Sequence, residues 1–126
     1  MKIYLAAQYS RLLELRECRD DLEALGHVVT SRWIDHDPRA TYAGLLDWEC
    51  EMVARKDWKD VRDAQCVVLF TEDASRSRGG KHVEFGIGLA LRKTLLVVGP
   101  RENVFHHLPE VRHLSCWEDA LNYLKT

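Results

Sequence analysis

Short apolar runs alternate with amphipathic stretches along the whole chain. Residues 2–7 are compact and apolar, give way at once to polar residues, and predict a buried first strand. Over residues 10–25 the apolar positions Leu12, Leu15, Cys18, Leu22 and Leu25 recur at three- and four-residue steps. That rhythm predicts a helix with Ser10 as its N-cap and Gly26 as its stop. Residues 27–33 read as a second strand, and residues 35–41, with Pro38, as a loop. A charged helix is predicted over residues 45–62, its apolar side holding Leu45, Trp48, Met52, Trp58 and Val61. Residues 66–70 are apolar without interruption, the signature of a strand covered on both faces. A polar loop over 71–78 and the pair Gly79-Gly80 lead to a helix over 83–92 rich in small residues. A strand over 95–98, a break at Gly99-Pro100, a loop to Pro109, a strand near 111–114 and a helix over 117–124 complete the chain.

Strand and helix thus alternate throughout, which predicts a parallel sheet with helices on both faces. The expected fold is a doubly wound, flavodoxin-like (Rossmann-like) α/β sheet of about five strands. With 126 residues, the chain suits one domain spanning 1–126. Such sheets bind ligands beyond the carboxyl ends of their strands. The segments to inspect are therefore 7–11, 33–41, 71–84 and 99–107.

Composition narrows the function classes. An apolar share of 46% excludes a disordered tail, and 18 basic against 20 acidic residues leave no basic stripe for nucleic acid. No run approaches a membrane span. The opening residues carry no long apolar core or processing site, so a cytoplasmic protein is expected. Cys18, Cys50, Cys66 and Cys116 never form C-x-x-C and read as buried, reduced thiols. His27, His36, His82 and His113 lack partners at ligand spacing, and His106-His107 diverge in any regular element, so neither metal nor cofactor is expected.

Candidate chemistry concentrates at residues 78–86, Arg-Gly-Gly-Lys-His-Val-Glu-Phe-Gly. Two glycines let the backbone turn tightly, and the following helix offers free amides and a positive dipole end. Glu84, in or near the first turn, is expected to be ionised and near the surface. A positioned carboxylate suits a glycosidic nucleophile, although a first-turn acid that merely stabilises its helix has the same signature. Gly86, Gly88 and Ala90 would keep one side of that helix thin enough to pack closely on the sheet. Trp33, Trp48, Trp58 and Trp117 read as packing residues, with Trp33 leaving a strand at the ligand edge.

Three stretches, in this order and spacing, resemble the nucleoside 2-deoxyribosyltransferase family and the related deoxynucleoside 5'-monophosphate N-glycosidases. They are Ile3-Tyr4-Leu5-Ala6, then Lys56-Asp57-Trp58 through Ala64-Gln65-Cys66-Val67-Val68, then Gly80-Lys81-His82-Val83-Glu84-Phe85-Gly86 with its continuation Gly88-Leu89-Ala90-Leu91-Arg92-Lys93. The resemblance implies that Glu84 is a nucleophile forming a glycosyl-enzyme intermediate, that Asp57 assists proton transfer to the departing base, and that Tyr4 orients Glu84. The residues at the strand ends expected to contact substrate are Ala6, Tyr9, Ser10, Arg11, Trp33, Ser77, Arg78, Gly79 and Gly80. Asn103 and His106 would reach sugar across a subunit boundary in a homodimer or larger assembly with shared sites. The substrate would be a small nucleoside or nucleoside 5'-monophosphate.

The sequence departs from that pattern in three places. Gln65 stands where the family carries an aspartate opening the third strand, with Asp63 two residues earlier. Arg78 replaces a short polar or acidic group, in a loop whose Ser77 and Arg78 suit an anionic ligand as well as a solvated surface. Gln8-Tyr9-Ser10-Arg11 replaces a glycine-rich phosphate loop; Ser10 fits either a phosphate contact or a plain N-cap. The alternative from another class is a non-catalytic nucleotide-binding module on the same scaffold. A third reading, a phosphoribohydrolase of the cytokinin-activating kind, shares the Gly-Gly turn and following glutamate but lacks the fuller glycine-threonine motif.

Overall fold

The computed structural model describes residues 1–40, 42–73 and 79–125. The expected site residues Ser77 and Arg78 lie outside the described residues. Among those described, five strands form one parallel sheet: β1 (Lys2–Ala6), β2 (Val28–Val29), β3 (Cys66–Phe70), β4 (Thr94–Val98) and β5 (Val111–Leu114), in the order β2-β1-β3-β4-β5. Four α-helices, α1 (Leu12–Ala24), α2 (Asp47–Asp63), α3 (Gly80–Ala90) and α4 (Trp117–Leu124), connect and cover it. This is the flavodoxin-like topology that the alternating pattern predicts. All five residues of β3 are buried, as an uninterrupted apolar run at the sheet centre requires. Strand order reverses between β1 and β3, and a crevice opens there at the carboxyl ends.

The second strand is shorter than expected. After Val29 the chain turns away, and two side chains continue the pairing that the backbone abandons. The Leu5 N–H donates to Ser31 Oγ at 2.6 Å, and Trp33 Nε1 donates to the Leu5 carbonyl at 2.9 Å. Residues 32–35 instead form a 3-10 turn. Arg16 of α1 pins that turn by donating to the carbonyls of Ile34 at 2.7 Å and His36 at 2.8 Å.

Two helix starts also move. A 3-10 turn occupies Tyr9–Arg11, and α1 begins at Leu12 with Arg11 in the cap position. Ser10 is therefore not the N-cap. In contrast, α3 begins at Gly80, earlier than expected, because Gly79 adopts a left-handed φ of 98° that redirects the chain into the helix. Glu84 thereby falls in the second turn.

Of the apolar side assigned to α2, Val61 is buried in the core, whereas Trp48, Met52 and Trp58 are each about half exposed or more. Trp48 and Trp58 are thus not core packing residues, whereas Trp33 is buried and Trp117 stacks on Phe70 at 5.5 Å. The inward face of α2 instead carries Val53, Asp57, Asp60 and Val61, because this helix borders the crevice as well as the core. Close packing of α3 on the sheet rests on Gly88 alone, where a Cβ would lie 2.8 Å from Val67 Cγ2; Gly86 and Ala90 face outward. Cys18 and Cys66 are buried, Cys50 is half-buried and Cys116 is exposed, so burial holds for only part of the expected set.

Candidate active site

A cavity of about 1270 Å³ opens over the carboxyl ends of β1 and β3. One wall is the segment after β1, with Ala7, Gln8, Tyr9 and Ser10, and another is the turn after β2, with Trp33, His36, Asp37 and Ala40. Leu45, Val53 and Asp57 close it from the side of α2, and Gly79, Gly80, Lys81, Val83 and Glu84 from α3. Three of the four segments expected at the strand ends therefore contribute. The segment after β4 does not, because it leaves the sheet on the far side of β3.

Glu84 and Asp57 line this one cavity although they stand 27 positions apart in sequence. The Tyr4 hydroxyl, from the buried first strand, donates a short hydrogen bond to Glu84 Oε2. Tyr4 is wholly buried, so burial, followed by the Glu84 charge, raises its hydroxyl well above the usual phenol range and keeps it a proton donor. Burial also pushes the Glu84 carboxyl up to about 8, against the Tyr4 hydrogen bond, which lowers it. Glu84 thus differs from the ionised first-turn acid expected: it is half-buried, stands in the second turn, and desolvation favours its protonated form. Asp57 is raised to about 7, first by burial and then by the charge of Asp60, while Arg32 pulls the other way. Two carboxyl groups whose proton affinity is raised in one cavity can exchange protons with a bound molecule near neutral pH.

The remaining expected contacts divide. Tyr9 and Ser10 line the cavity; the Tyr9 hydroxyl donates to the Asp37 carbonyl at 2.5 Å, and its ring lies 6.1 Å from that of Trp33. Trp33, Gly79 and Gly80 line it as well. Ala6 does not: it is fully buried within β1, and its successor Ala7 takes the place expected of it. Arg11 turns away, pairing with Glu14 at 2.6 Å and Glu72 at 3.3 Å. Asn103 and His106 do not reach this cavity. The Asn103 Oδ1 accepts from the Phe105 N–H at 3.0 Å and caps its own turn. His106 is buried, its Nδ1 accepting from the Glu102 N–H at 2.9 Å and its ring edge-on to Phe85 at 5.2 Å.

Sequence reasoning passed over Lys81, Asp60 and Arg32. Lys81 borders the cavity, yet its side chain is fully buried and its ammonium group binds Glu72 at 2.7 Å and Glu102 at 2.6 Å. It fastens the start of α3 to the segments following β3 and β4. Asp60 is 4% exposed and accepts from Arg32 through Nε at 2.9 Å and the backbone N–H at 3.1 Å. The spacing Val53, Asp57, Asp60 at four and three residues on α2 was the available signal. Among the described residues, no group of three or more His, Cys, Asp or Glu side chains could hold a metal ion.

Solved structures share this architecture. A 2-deoxyribosyltransferase from Bacillus psychrosaccharolyticus superposes with a TM-score of 0.74 at 22% identity, over 98% of this chain and 92% of that one. A CMP N-glycosidase from Clostridium botulinum gives 0.60 at 17% identity, over 98% of both chains. A conserved protein from Enterococcus faecalis V583 gives 0.66 at 16% identity, over 99% and 97%. These likenesses establish the fold, and two of the neighbours carry the names of the families that the motifs resemble. No protein-family profile and no curated protein sequence matches the chain.

Proposed function

We propose that this protein is an enzyme that cleaves or transfers the N-glycosidic bond of a nucleoside, deoxynucleoside or nucleoside 5'-monophosphate, with Glu84 as nucleophile. The observation that best supports it is the trio at the cavity wall: Glu84 held by the Tyr4 hydroxyl, with Asp57 facing it from α2. The motif resemblance and the names of two structural neighbours point the same way.

Tyr4 occupies Oε2 of Glu84, which leaves Oε1 for attack on the anomeric carbon. As that C–O bond forms, the C–N bond breaks and its electron pair passes to the base nitrogen. Asp57 gives its proton to the departing base. The sugar is then an ester of Glu84 and Asp57 is ionised. In the second half, water or another base attacks the same carbon and gives its proton to Asp57. The ester bond opens and Glu84 regains its charge. Carboxylate beside the cationic sugar stabilises both transition states.

The productive form has Glu84 ionised and Asp57 protonated. Burial raises Glu84 to about 8 and Asp57 to about 7, so the singly ionised pair, of which this is one arrangement, is populated around neutral pH. A bell-shaped kcat/KM profile with breaks near those two values is its kinetic counterpart. The reading also carries a homodimer or larger assembly, which sedimentation reads directly.

The test is chromatographic: the protein is incubated with nucleosides and 5'-monophosphates, with and without a second free base, beside Glu84→Ala. Free base from the wild type alone identifies a hydrolase, and a new nucleoside a transferase. Binding without product, equal in the Glu84→Ala variant, favours the non-catalytic module. Wild-type turnover by Glu84→Ala removes Glu84 as nucleophile.

A further inference from the structure

Asp60 has no place in the reaction just described, yet it is among the most elaborately held side chains in the molecule. It stands three residues after Asp57 on the same face of α2, where side chains are neighbours with Cβ atoms about 5–6 Å apart. Its carboxyl is buried, and Arg32 grips it from the turn after β2 with the backbone N–H at 3.1 Å, Nε at 2.9 Å and a terminal nitrogen at 2.9 Å. Its own carbonyl accepts from Thr30 Oγ1 at 2.9 Å, which ties α2 to the end of β2. An ion pair so fixed cannot swing toward substrate, but it can set the field behind Asp57. Arg32 is half exposed, so water weakens its side of the pair more than that of the buried carboxylate.

From this arrangement we infer that Asp60 is a positioning residue that keeps Asp57 protonated, with Arg32 limiting the strength of its influence. The inference rests on the proposed role of Asp57 as the acid, and adds to burial, the larger reason for this aspartate to hold a proton near neutral pH, a fixed charge held in place for the same end. The charged and titratable groups around Asp57 come from four elements. They are Asp60 on its own helix, Arg32 on the turn after β2, Tyr4 on β1 and Glu84 on α3. Tyr4 stays neutral, and burial raises the Glu84 carboxyl as it does that of Asp57. Asp60 and Arg32 are thus the two fixed charges, of opposite sign, so removing them in turn moves Asp57 in opposite directions.

The experiment follows the Asp57 carboxyl carbon by NMR titration, its resonance assigned by loss in Asp57→Asn. Asp60→Asn keeps an oxygen for the Arg32 N–H while deleting the charge. Its Asp57 midpoint is expected to fall by about one pH unit. In Asp60→Asn combined with Arg32→Gln, the cation is gone too, and the midpoint is expected to return part of the way. A purely structural role does not produce that return. The acid break of kcat/KM should follow the Asp57 midpoint in all three proteins. A midpoint unmoved in Asp60→Asn, or lowered equally in both variants, overturns the inference. If the NMR shifts occur as expected while no nucleoside or nucleotide is turned over, the field effect stands and the proposed reaction fails.

Discussion

Replacing Glu84 by glutamine removes one ionisable group from a buried wall while keeping an oxygen for the Tyr4 hydroxyl to meet. In the folded protein the Glu84 carboxyl titrates at about 8, against an ordinary 4.5. Folding therefore retains a proton on Glu84 that the unfolded chain has lost throughout that window. The resulting stability is fully present below the unfolded value, and declines by about 1.4 kcal/mol per pH unit as pH rises. It is exhausted once pH passes the folded value. Between pH 5 and 8 the wild type should lose about 2–4 kcal/mol relative to Glu84→Gln, the lower figure allowing for water that reaches the carboxyl through the cavity. Asp57 titrates in both proteins and largely cancels in the comparison. Urea denaturation at half-unit pH intervals reads the difference directly. Thermal melts should show it as roughly 3–6 °C for each kcal/mol. A difference that stays constant from pH 5 to 8, or that favours the wild type as pH rises, refutes the assignment of a buried, proton-retaining Glu84.

Further expectations concern activity and packing. Tyr4→Phe removes a hydrogen bond that favours the ionised form of Glu84, so the alkaline break of kcat/KM should move up and its maximum fall; an unchanged break separates Tyr4 from the nucleophile. Asp57→Asn should slow base release by about 10²–10⁴-fold, and least for leaving groups that need no proton. An equal loss for every leaving group removes Asp57 as the acid. Gly88→Ala should destabilise by about 1 kcal/mol, since a Cβ 2.8 Å from Val67 and 3.2 Å from Leu95 costs more than the gain in helix propensity. Gly86→Ala, with nothing within 4 Å of the new carbon, should instead stabilise; similar urea midpoints for the two variants would contradict this packing of α3.

Much of the fold is legible because the chain repeats its signals. The span 66–70 is apolar on every residue and becomes the buried centre of the sheet, and the strand and helix near the end fall at 111–114 and 117–124 as the pattern predicts. The second strand misleads for a physical reason: Ser31 and Trp33 sustain its pairing through side chains, which backbone patterning cannot reveal. The face of α2 misleads because its inward side is shared between the core, which takes Val61, and the crevice, beside which Val53 and Asp57 stand. At the site, the order of motifs singles out Tyr4, Asp57 and Glu84, and the structure joins Tyr4 to Glu84 and sets Asp57 on the lining of the same cavity. Their protonation is not legible, since it depends on burial by residues distant in sequence. Asn103 and His106 lie away from this chain's own cavity, the first capping a local turn and the second packed in the core.

The double duty of Trp33 bears on any attempt to reshape the cavity. Its ring lines the pocket, while its indole N–H covers the Leu5 carbonyl on the side of β1 that the two-residue β2 leaves bare. An uncovered backbone group at a sheet margin is a template on which another chain can add a strand. Trimming Trp33 to admit a bulkier base would widen the pocket and, by the same stroke, open a seam for self-association. Enlargement through Val53 or Val83 leaves that seam closed.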